Sequence, residues 1–147
     1  MIYNMPILGL DIGDKRIGIA ISDKTGLIAQ GLMTLERLNI EHDLRVIEDI
    51  IKSKDIDLIV IGLPLNMNGT LSKEASKVLE FKKILSSKTN LKIITYDERL
   101  SSKEAEDLLI RANISRKKRR PQIDKIAAQI ILQKYLDSFH TRGSFGM

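Results

Sequence analysis

The order of strand-like and helix-like segments is the feature that most constrains the fold of this chain. Three short, mostly apolar segments come first, and the link between the first two, residues 12–15, is of hairpin length. After residue 40 the pattern changes, because apolar residues recur at helical spacing and these helical stretches then alternate with short strand-like segments. Strands that alternate with helices are joined by crossovers and run parallel. The sequence therefore predicts an α/β domain with a mixed sheet, antiparallel in its first half and parallel in its second.

The predicted elements are short, as in most compact α/β domains. Strands are predicted over about 7–11, 16–22, 27–34, 58–63 and 91–96. Helices are predicted over about 41–54, 70–86, 101–112 and 124–139, with Pro121 breaking the stretch before the last one. The fourth strand, Leu58–Leu63, is apolar throughout, which is typical of a strand that is covered on both faces of its sheet.

The length of 147 residues favours one domain, and it excludes a TIM barrel, which needs about 250 residues. We predict a single domain over 1–147, with a core at about 5–138 and a loose tail at 139–147. No apolar run approaches the roughly 18 residues that span a membrane, and the N-terminus lacks the basic leader of a secretory signal. The chain has no Cys, which excludes a disulfide framework and fits a reducing compartment. We expect a cytoplasmic protein with no membrane partner.

Positive charge is concentrated in one stretch of the chain. The net charge is +5, yet residues 1–110 hold 15 basic and 17 acidic residues, whereas 111–120 hold six basic residues and no acid. Such a run favours a polyanionic partner such as nucleic acid, and a solvated loop is the alternative that composition leaves open. Aromatic residues make up only 4% of the chain, so recognition through the nucleic-acid backbone and shape is expected rather than base stacking. The candidate nucleic-acid-binding residues are Arg16, Arg99, Arg116, Lys117, Lys118, Arg119 and Arg120.

Acidic residues fall where the predicted strands end. Asp11 ends the first strand, Asp97 and Glu98 end the last, and Asp124 begins the final helix. Functional groups of open α/β sheets lie beyond the carboxyl ends of the strands, and carboxylates gathered there repel each other unless a cation is present. Oxygen ligands in a chain with two His and no Cys favour Mg²⁺ or Mn²⁺, as one or two ions. Such ions activate water and stabilise the leaving oxygen of a phosphodiester.

Each acid also has a structural interpretation. Asp11 could be an Asx-turn residue, and Asp124 an ordinary helix N-cap. Asp97 and Glu98 point to opposite faces of a strand, so at most one of them is expected to reach the site directly. The other would cap the next helix or pair with Arg99.

Four segments of the chain resemble, in order, the signatures of the YqgF/RuvX family. The matching segments are Gly9–Gly13 followed by Arg16–Ala20, then Val60–Gly69, then Asp97–Ser102, and last Ile123–Asp124 with the apolar pairs 127–128 and 131–132. Together they extend over residues 5–138. Four ordered matches are more specific than any single short motif.

The resemblance implies an RNase H-like fold, with a mixed five-stranded sheet flanked by helices, and a metal-dependent nuclease. It also implies that Asp11, Glu98 and Asp124 are the catalytic and metal-binding acids, with Asp97 as the alternative strand-end ligand. Members of the family are described as nucleases that mature the 5′ end of pre-16S ribosomal RNA, or as Holliday junction resolvases.

Three functions remain open from the sequence. The leading hypothesis is a metal-dependent endonuclease that acts on structured ribosomal RNA precursor, and the second is a Holliday junction resolvase acting on branched DNA. A resolvase needs two active sites and hence a homodimer, whereas the first activity is compatible with a monomer or a homodimer. The third is a nucleic-acid-binding module without catalysis. The Asp11–Gly13 turn also resembles the phosphate loop of sugar-kinase and Hsp70-type ATPases, but those need two such domains to enclose ATP.

Overall fold

The computed structural model describes residues 6–97 and 116–145, with side chains described over 6–97 and 123–138. The elements are β1 (Ile7–Ile12), β2 (Arg16–Ser22), β3 (Ala29–Glu36), α1 (Ile40–Ser53), β4 (Leu58–Leu63), α2 (Lys73–Ser86), β5 (Lys92–Asp97) and α3 (Arg116–Phe145). The strands form one sheet in the order β3-β2-β1-β4-β5. Neighbours among β1–β3 are antiparallel, whereas β4 runs parallel to both β1 and β5. The predicted mixed sheet is confirmed.

Local hydrogen bonds explain where several elements begin. Asn39 caps α1, because its side-chain oxygen accepts the His42 N–H at 2.8 Å. Ser72 caps α2 in the same way, accepting the Ala75 N–H at 2.9 Å, so this helix begins a few residues later than predicted. Strand β3 begins at Ala29 rather than residue 27, because the Asp23 carboxylate accepts the N–H groups of both preceding residues and holds them in the turn.

The sheet buries one apolar cluster on each face. On the face covered by α1 and α2, the cluster includes Leu10, Ile19, Ile61 and Phe81. On the face covered by α3, the cluster consists of smaller side chains and the apolar residues of the helix, among them Ala20, Val60, Ala128, Ile131 and Leu132. Alternation along each strand therefore decides which polar residues at the strand ends lie on the α3 face. Within the described residues, no helix is both long and apolar enough to cross a membrane.

Three glycines let α3 pack very close to the sheet. A methyl group placed on Gly18 of β2 would lie 1.9 Å from the backbone oxygen of Asp124 in α3. A methyl group on Gly9 would lie 2.9 Å from the Cβ of Leu132, and one on Gly31 would lie 2.6 Å from the Cγ of Lys125. The helix thus touches the sheet at backbone distance near its Asp124 end.

Helix α3 is also tied to the edge strand by amide side chains. The Ala29 N–H donates to Gln133 Oε1 at 2.8 Å, and the Gly31 N–H donates to Gln129 Oε1 at 3.1 Å. Gln133 donates its own Nε2 to the Leu27 carbonyl at 2.9 Å. These bonds satisfy backbone groups of β3, which lies at the edge of the sheet, and of the turn before it.

The last helix differs most from its prediction. It was expected over about 124–139 after a break at Pro121, whereas the backbone is helical from Arg116 through Phe145. Pro121 lies in the second turn, where it removes one backbone hydrogen bond without ending the helix. The predicted loose tail is helical as far as 145, because residues 122–142 contain no Gly or Pro that would stop the helix earlier. The helix predicted over 101–112 lies outside the described residues.

Candidate functional site

Asp11 lies in the fifth position of β1, on the sheet face that α3 covers. Its ladder partner in β2 is Gly18, and paired residues of antiparallel strands place their side chains on the same face. Two residues earlier, Gly9 contacts Leu132 of α3, which fixes that face for Asp11 as well. The Asp11 side chain is half-buried.

Asp124 of α3 packs against the same part of the sheet face, at Gly18. Its backbone oxygen lies so close to Gly18 that no side chain would fit between them. Gly18 therefore contacts Asp124 while it pairs with Asp11 in the ladder. The packing of α3 on β2 thus places two of the three acids for which the sequence predicted metal binding on either side of Gly18, one as its ladder partner and one through its backbone.

The environment of Asp124 disfavours its charged form. Burial raises the pKa of Asp124 above its usual range, although Arg16 nearby acts in the opposite direction. Glu36 also raises this pKa, and Arg16 donates its Nε to Glu36 Oε1 at 3.0 Å. A partly desolvated acid that no nearby cation fully compensates is a feature of functional sites.

These donors fit a hard divalent cation. Asp11 and Asp124 offer carboxylate oxygens, the ligands that Mg²⁺ and Mn²⁺ prefer, and a cation would compensate the charge that burial disfavours at Asp124. Among the residues whose side chains the structure describes, no group of three or more His, Cys, Asp or Glu could hold a metal. The third predicted ligand, Glu98, lies outside the described residues.

Replacing Asp124 with Asn is expected to raise the melting temperature of the metal-free protein at pH 7. Because the folded-state pKa of this acid is raised, its contribution to stability is fully present below the ordinary value of 3.8 and is lost as pH rises through the raised value. Asparagine does not ionise and so avoids this loss. The difference in melting temperature between Asp124→Asn and wild type should therefore vanish as pH falls below that ordinary value. Thermal unfolding in EDTA at several pH values measures it.

The control for this experiment is Asp137→Asn, at an exposed position of the same helix. We expect that variant to melt close to the wild-type temperature at pH 7, because the replaced side chain is exposed. A lower melting temperature for Asp124→Asn at pH 7 would contradict the prediction, because it would mean that the charged carboxylate stabilises the fold.

Asp97 lies on the other face of the sheet. It pairs in register with Leu63, which packs on the cluster beneath α1 and α2, whereas the preceding residue, Tyr96, packs on the α3 side. The ladder thus separates Asp97 from the face that holds Asp11. Glu98 and Arg99 lie outside the described residues, so their roles stay predictions.

The basic residues 116–120 belong to α3 rather than to a loop. Arg120 precedes Asp124 by four residues in the same helix, which is about one helical turn. The side chains of 116–120 lie outside the described part of the chain, so phosphate binding by them stays a prediction. Arg16, the other predicted phosphate ligand, lies at the start of β2 next to Asp124 and is paired with Glu36.

Sequence reasoning missed the residues that hold the β1–β2 turn. Arg37 donates its Nη1 to the Gly13 carbonyl at 2.8 Å and its Nε to Asp43 Oδ2 at 2.9 Å. Its guanidinium carbon also lies 5.4 Å from the centre of the Phe81 ring. Asp43 is buried, and although burial works to raise its pKa, hydrogen bonds from Arg37 and His42 hold that pKa below its usual range. In the sequence Asp43 is an ordinary acid in the first turn of a helix, so only the three-dimensional contact shows its role.

Comparison with known proteins identifies relatives over nearly the whole chain. The family model described as "RuvX: Holliday junction resolvase" matches residues 5–138. A Clostridium tetani protein named "Putative pre-16S rRNA nuclease" is 49% identical over 138 residues, which cover 94% of this chain and 100% of the relative. A protein of the same name from Thermoanaerobacter pseudethanolicus is 50% identical over 135 residues, covering 91% of this chain and 97% of the relative.

Solved structures share the fold at low sequence identity. Thermus thermophilus RuvC, solved in complex with a Holliday junction substrate, superposes with a TM-score of 0.59 at 13% identity, covering 92% of this chain and 96% of that chain. The fowlpox virus resolvase, solved in complex with Holliday junction DNA, has a TM-score of 0.57 at 17% identity, covering 92% of this chain and 99% of that chain. The prediction of an RNase H-like fold is confirmed. The family prediction is also confirmed by the ordered motifs, the family model and the relatives near half identity, and the chain belongs to the RuvX family.

Proposed function

We propose that this chain is a metal-dependent endonuclease that hydrolyses phosphodiester bonds during 5′-end maturation of pre-16S ribosomal RNA. Family membership makes it a hydrolase of phosphodiester bonds, as predicted. The relatives at about half identity carry the pre-16S rRNA nuclease name over almost their full lengths, which supports the RNA substrate. The observation that carries the proposal is that the Asp124 backbone packs against Gly18, the ladder partner of Asp11, on the sheet face that carries Asp11. The proposal implies a cytoplasmic location, where ribosomal RNA precursors are processed.

Asp11, Asp124 and the predicted Glu98 are the residues that would hold one or two Mg²⁺ or Mn²⁺ ions. When bound, such ions supply charge stabilisation at the phosphoryl oxygens and make a nucleophilic water available at neutral pH. The chain itself supplies position, because Asp11 belongs to a paired strand and Asp124 to a helix that touches that sheet at backbone distance. Groups on rigid elements are held more accurately than groups on loops.

Basic residues would bring the substrate to these acids. Arg16 lies beside Asp124, and its bond to Glu36 orients the guanidinium at this end of β2. The run 116–120 precedes Asp124 in the same helix, so phosphate groups bound there would lie within about one to two turns of the acids. Contacts of this kind are made to the backbone of the nucleic acid and supply affinity without reading sequence.

A Holliday junction resolvase is the second candidate function. The family model carries that description, and the two resolvase structures that share the fold were solved with junction DNA. Resolution requires two symmetric cuts and hence a homodimer, so the oligomeric state separates this candidate from the first.

The proposal is tested by incubating the protein with a pre-16S ribosomal RNA fragment and with a four-way DNA junction, side by side. Each substrate is tested with Mg²⁺, Mn²⁺ and EDTA, and analytical ultracentrifugation gives the oligomeric state. We expect cleavage of the RNA with either metal and none in EDTA, leaving a 5′-phosphate and a 3′-hydroxyl. Paired nicks in the junction by a dimer, with the RNA intact, would establish the resolvase instead. Binding of both substrates without any cleavage would favour a module without catalysis.

A further inference from the structure

The loop between β4 and α2, residues 64–72, leaves the sheet at the same edge as Asp11. Strand β4 runs parallel to β1, with Ile61 opposite Leu10, so both strands end side by side. Asp11 follows Leu10 directly, and the β4–α2 loop begins one residue after β4 ends at Leu63. The loop therefore borders the place where the scissile phosphate would lie.

Hydrogen bonds within the loop hold its polar groups. The Asn66 N–H donates to the Thr70 carbonyl at 2.9 Å, and the Gly69 N–H donates back to the Asn66 carbonyl at 2.8 Å. Asn66 Nδ2 donates to Thr70 Oγ1 at 2.9 Å, and Thr70 Oγ1 donates to Asn68 Oδ1 at 2.7 Å. Gly69 has a φ of +87°, which favours glycine at this position of the turn. The polar side chains of the loop thus define its shape.

The loop presents two large apolar side chains to solvent beside its exposed polar ones. Met67 at its tip is 68% exposed, and Leu71 is 58% exposed. No charged residue occurs from Gly62 to Ser72, although the loop borders a site for a polyanion. A surface without cations does not bind phosphates strongly, whereas an apolar side chain packs well on the face of a base.

We propose that Met67 contacts the face of an unstacked base next to the scissile phosphate and so directs the enzyme to interruptions in base pairing. Apolar side chains, including Met, occupy base steps in other nucleic-acid complexes and are accommodated where stacking is disrupted. Opening a base step costs least where the base is already unpaired or mismatched. The substrate class is therefore RNA with a bulge, a helix end or a loop at the cleavage point. This inference rests on the proposed nuclease function.

The test uses two RNA hairpins with the same sequence at the cleavage point, one with an unpaired 2-aminopurine there and one with that base paired. In EDTA, binding of wild type should increase the 2-aminopurine fluorescence of the first hairpin, because contact with Met67 keeps the base unstacked. With Mg²⁺, wild type should cleave the first hairpin faster than the second. Met67→Ala should lose the fluorescence increase and reduce the cleavage preference about tenfold, the scale of a lost base contact. Met67→Leu should retain both.

Leu27→Ala is the matched control, since Leu27 is 50% exposed. It lies on the turn between β2 and β3, at the opposite end of the strands from the β4–α2 loop. This control should behave as wild type, and all three variants should melt at the wild-type temperature because the replaced side chains are exposed. The inference would be overturned if Met67→Ala kept the wild-type fluorescence increase and cleavage preference, or if wild type itself caused no change in fluorescence. In either case, metal-dependent cleavage by wild type would still support the proposed function. No cleavage of either hairpin by wild type would count against the proposed function, and the fluorescence in EDTA would still report on Met67.

Discussion

Replacing Asp11 with Asn is expected to reduce the rate of RNA cleavage at least about 100-fold while the fold stays intact. Asparagine keeps the shape of the side chain but removes the negative charge that would hold a divalent cation. Bound ions supply several kcal/mol of charge stabilisation in the transition state, and about 1.4 kcal/mol corresponds to a factor of ten in rate. The strand should persist, because β1 is held by its ladders to β2 and β4.

Single-turnover cleavage with Mg²⁺ measures this effect, and thermal unfolding checks the fold. Asp14→Asn is the matched control, since Asp14 lies three residues further on and its side chain is 68% exposed. Its ion pair with Lys77, at 3.1 Å, is a surface pair of the kind that contributes little to stability. We expect this control to cleave at nearly the wild-type rate. Full activity of Asp11→Asn would mean that Asp11 is only a turn residue or that the activity belongs to a contaminating nuclease.

Replacing Gly18 with Ala is expected to lower both stability and activity. The added methyl group would lie 1.9 Å from the Asp124 backbone oxygen, whereas ordinary contacts begin at 3.4 Å, so the helix and strand must separate by about 1.5 Å. Overpacking of this kind costs about 1–3 kcal/mol of unfolding free energy. It also displaces Asp124 from Asp11, and a misplacement of about 1 Å at a reacting centre can cost about 100-fold in rate.

Gly31→Ala is the control for this variant. Its methyl group would meet Cγ and Cδ of Lys125, at 2.6 and 3.1 Å, and a lysine side chain can move away more readily than a helix backbone. Neither Gly18 nor Gly31 has a positive φ, so the backbone accepts alanine at both positions. The two variants therefore differ in what the added methyl group contacts on α3. We expect Gly31→Ala to melt slightly below wild type and to cleave at a similar rate. Equal losses of activity in the two variants would contradict the explanation through Asp124.

The strands and their succession along the chain could be predicted from the sequence because their signals are local. The continuous apolar run Leu58–Leu63 predicts a strand that is covered on both faces, and the short link 12–15 predicts an antiparallel hairpin, as the structure confirms. The extent of α3 could not be predicted in the same way. Pro121 predicts a break, whereas the backbone is helical on both sides of it. Local propensity is a weak guide where packing against a sheet supports a helix.

The sequence indicates candidate acids for the site, but it does not indicate which elements carry them into contact. The register places Asp97 on the face away from Asp11, whereas the prediction that Glu98 points to the opposite face from Asp97 concerns a residue outside the described part of the chain. The approach of Asp124 depends on Gly18, which in the sequence looks like an ordinary small residue in a strand. Close packing of this kind leaves no local pattern, because the partner is more than 100 residues away in the chain.

The hydrogen bonds between the glutamine side chains of α3 and the backbone of β3 have a consequence for self-assembly. An exposed edge strand presents unpaired backbone groups to which another chain can add a strand. Here Gln133 and Gln129 already occupy the N–H groups of Ala29 and Gly31. A second molecule would have to break these bonds before it could extend the sheet at this stretch. The helix that carries Asp124 into the site thus also protects this edge against polymerisation, which favours a sheet that ends with its own five strands.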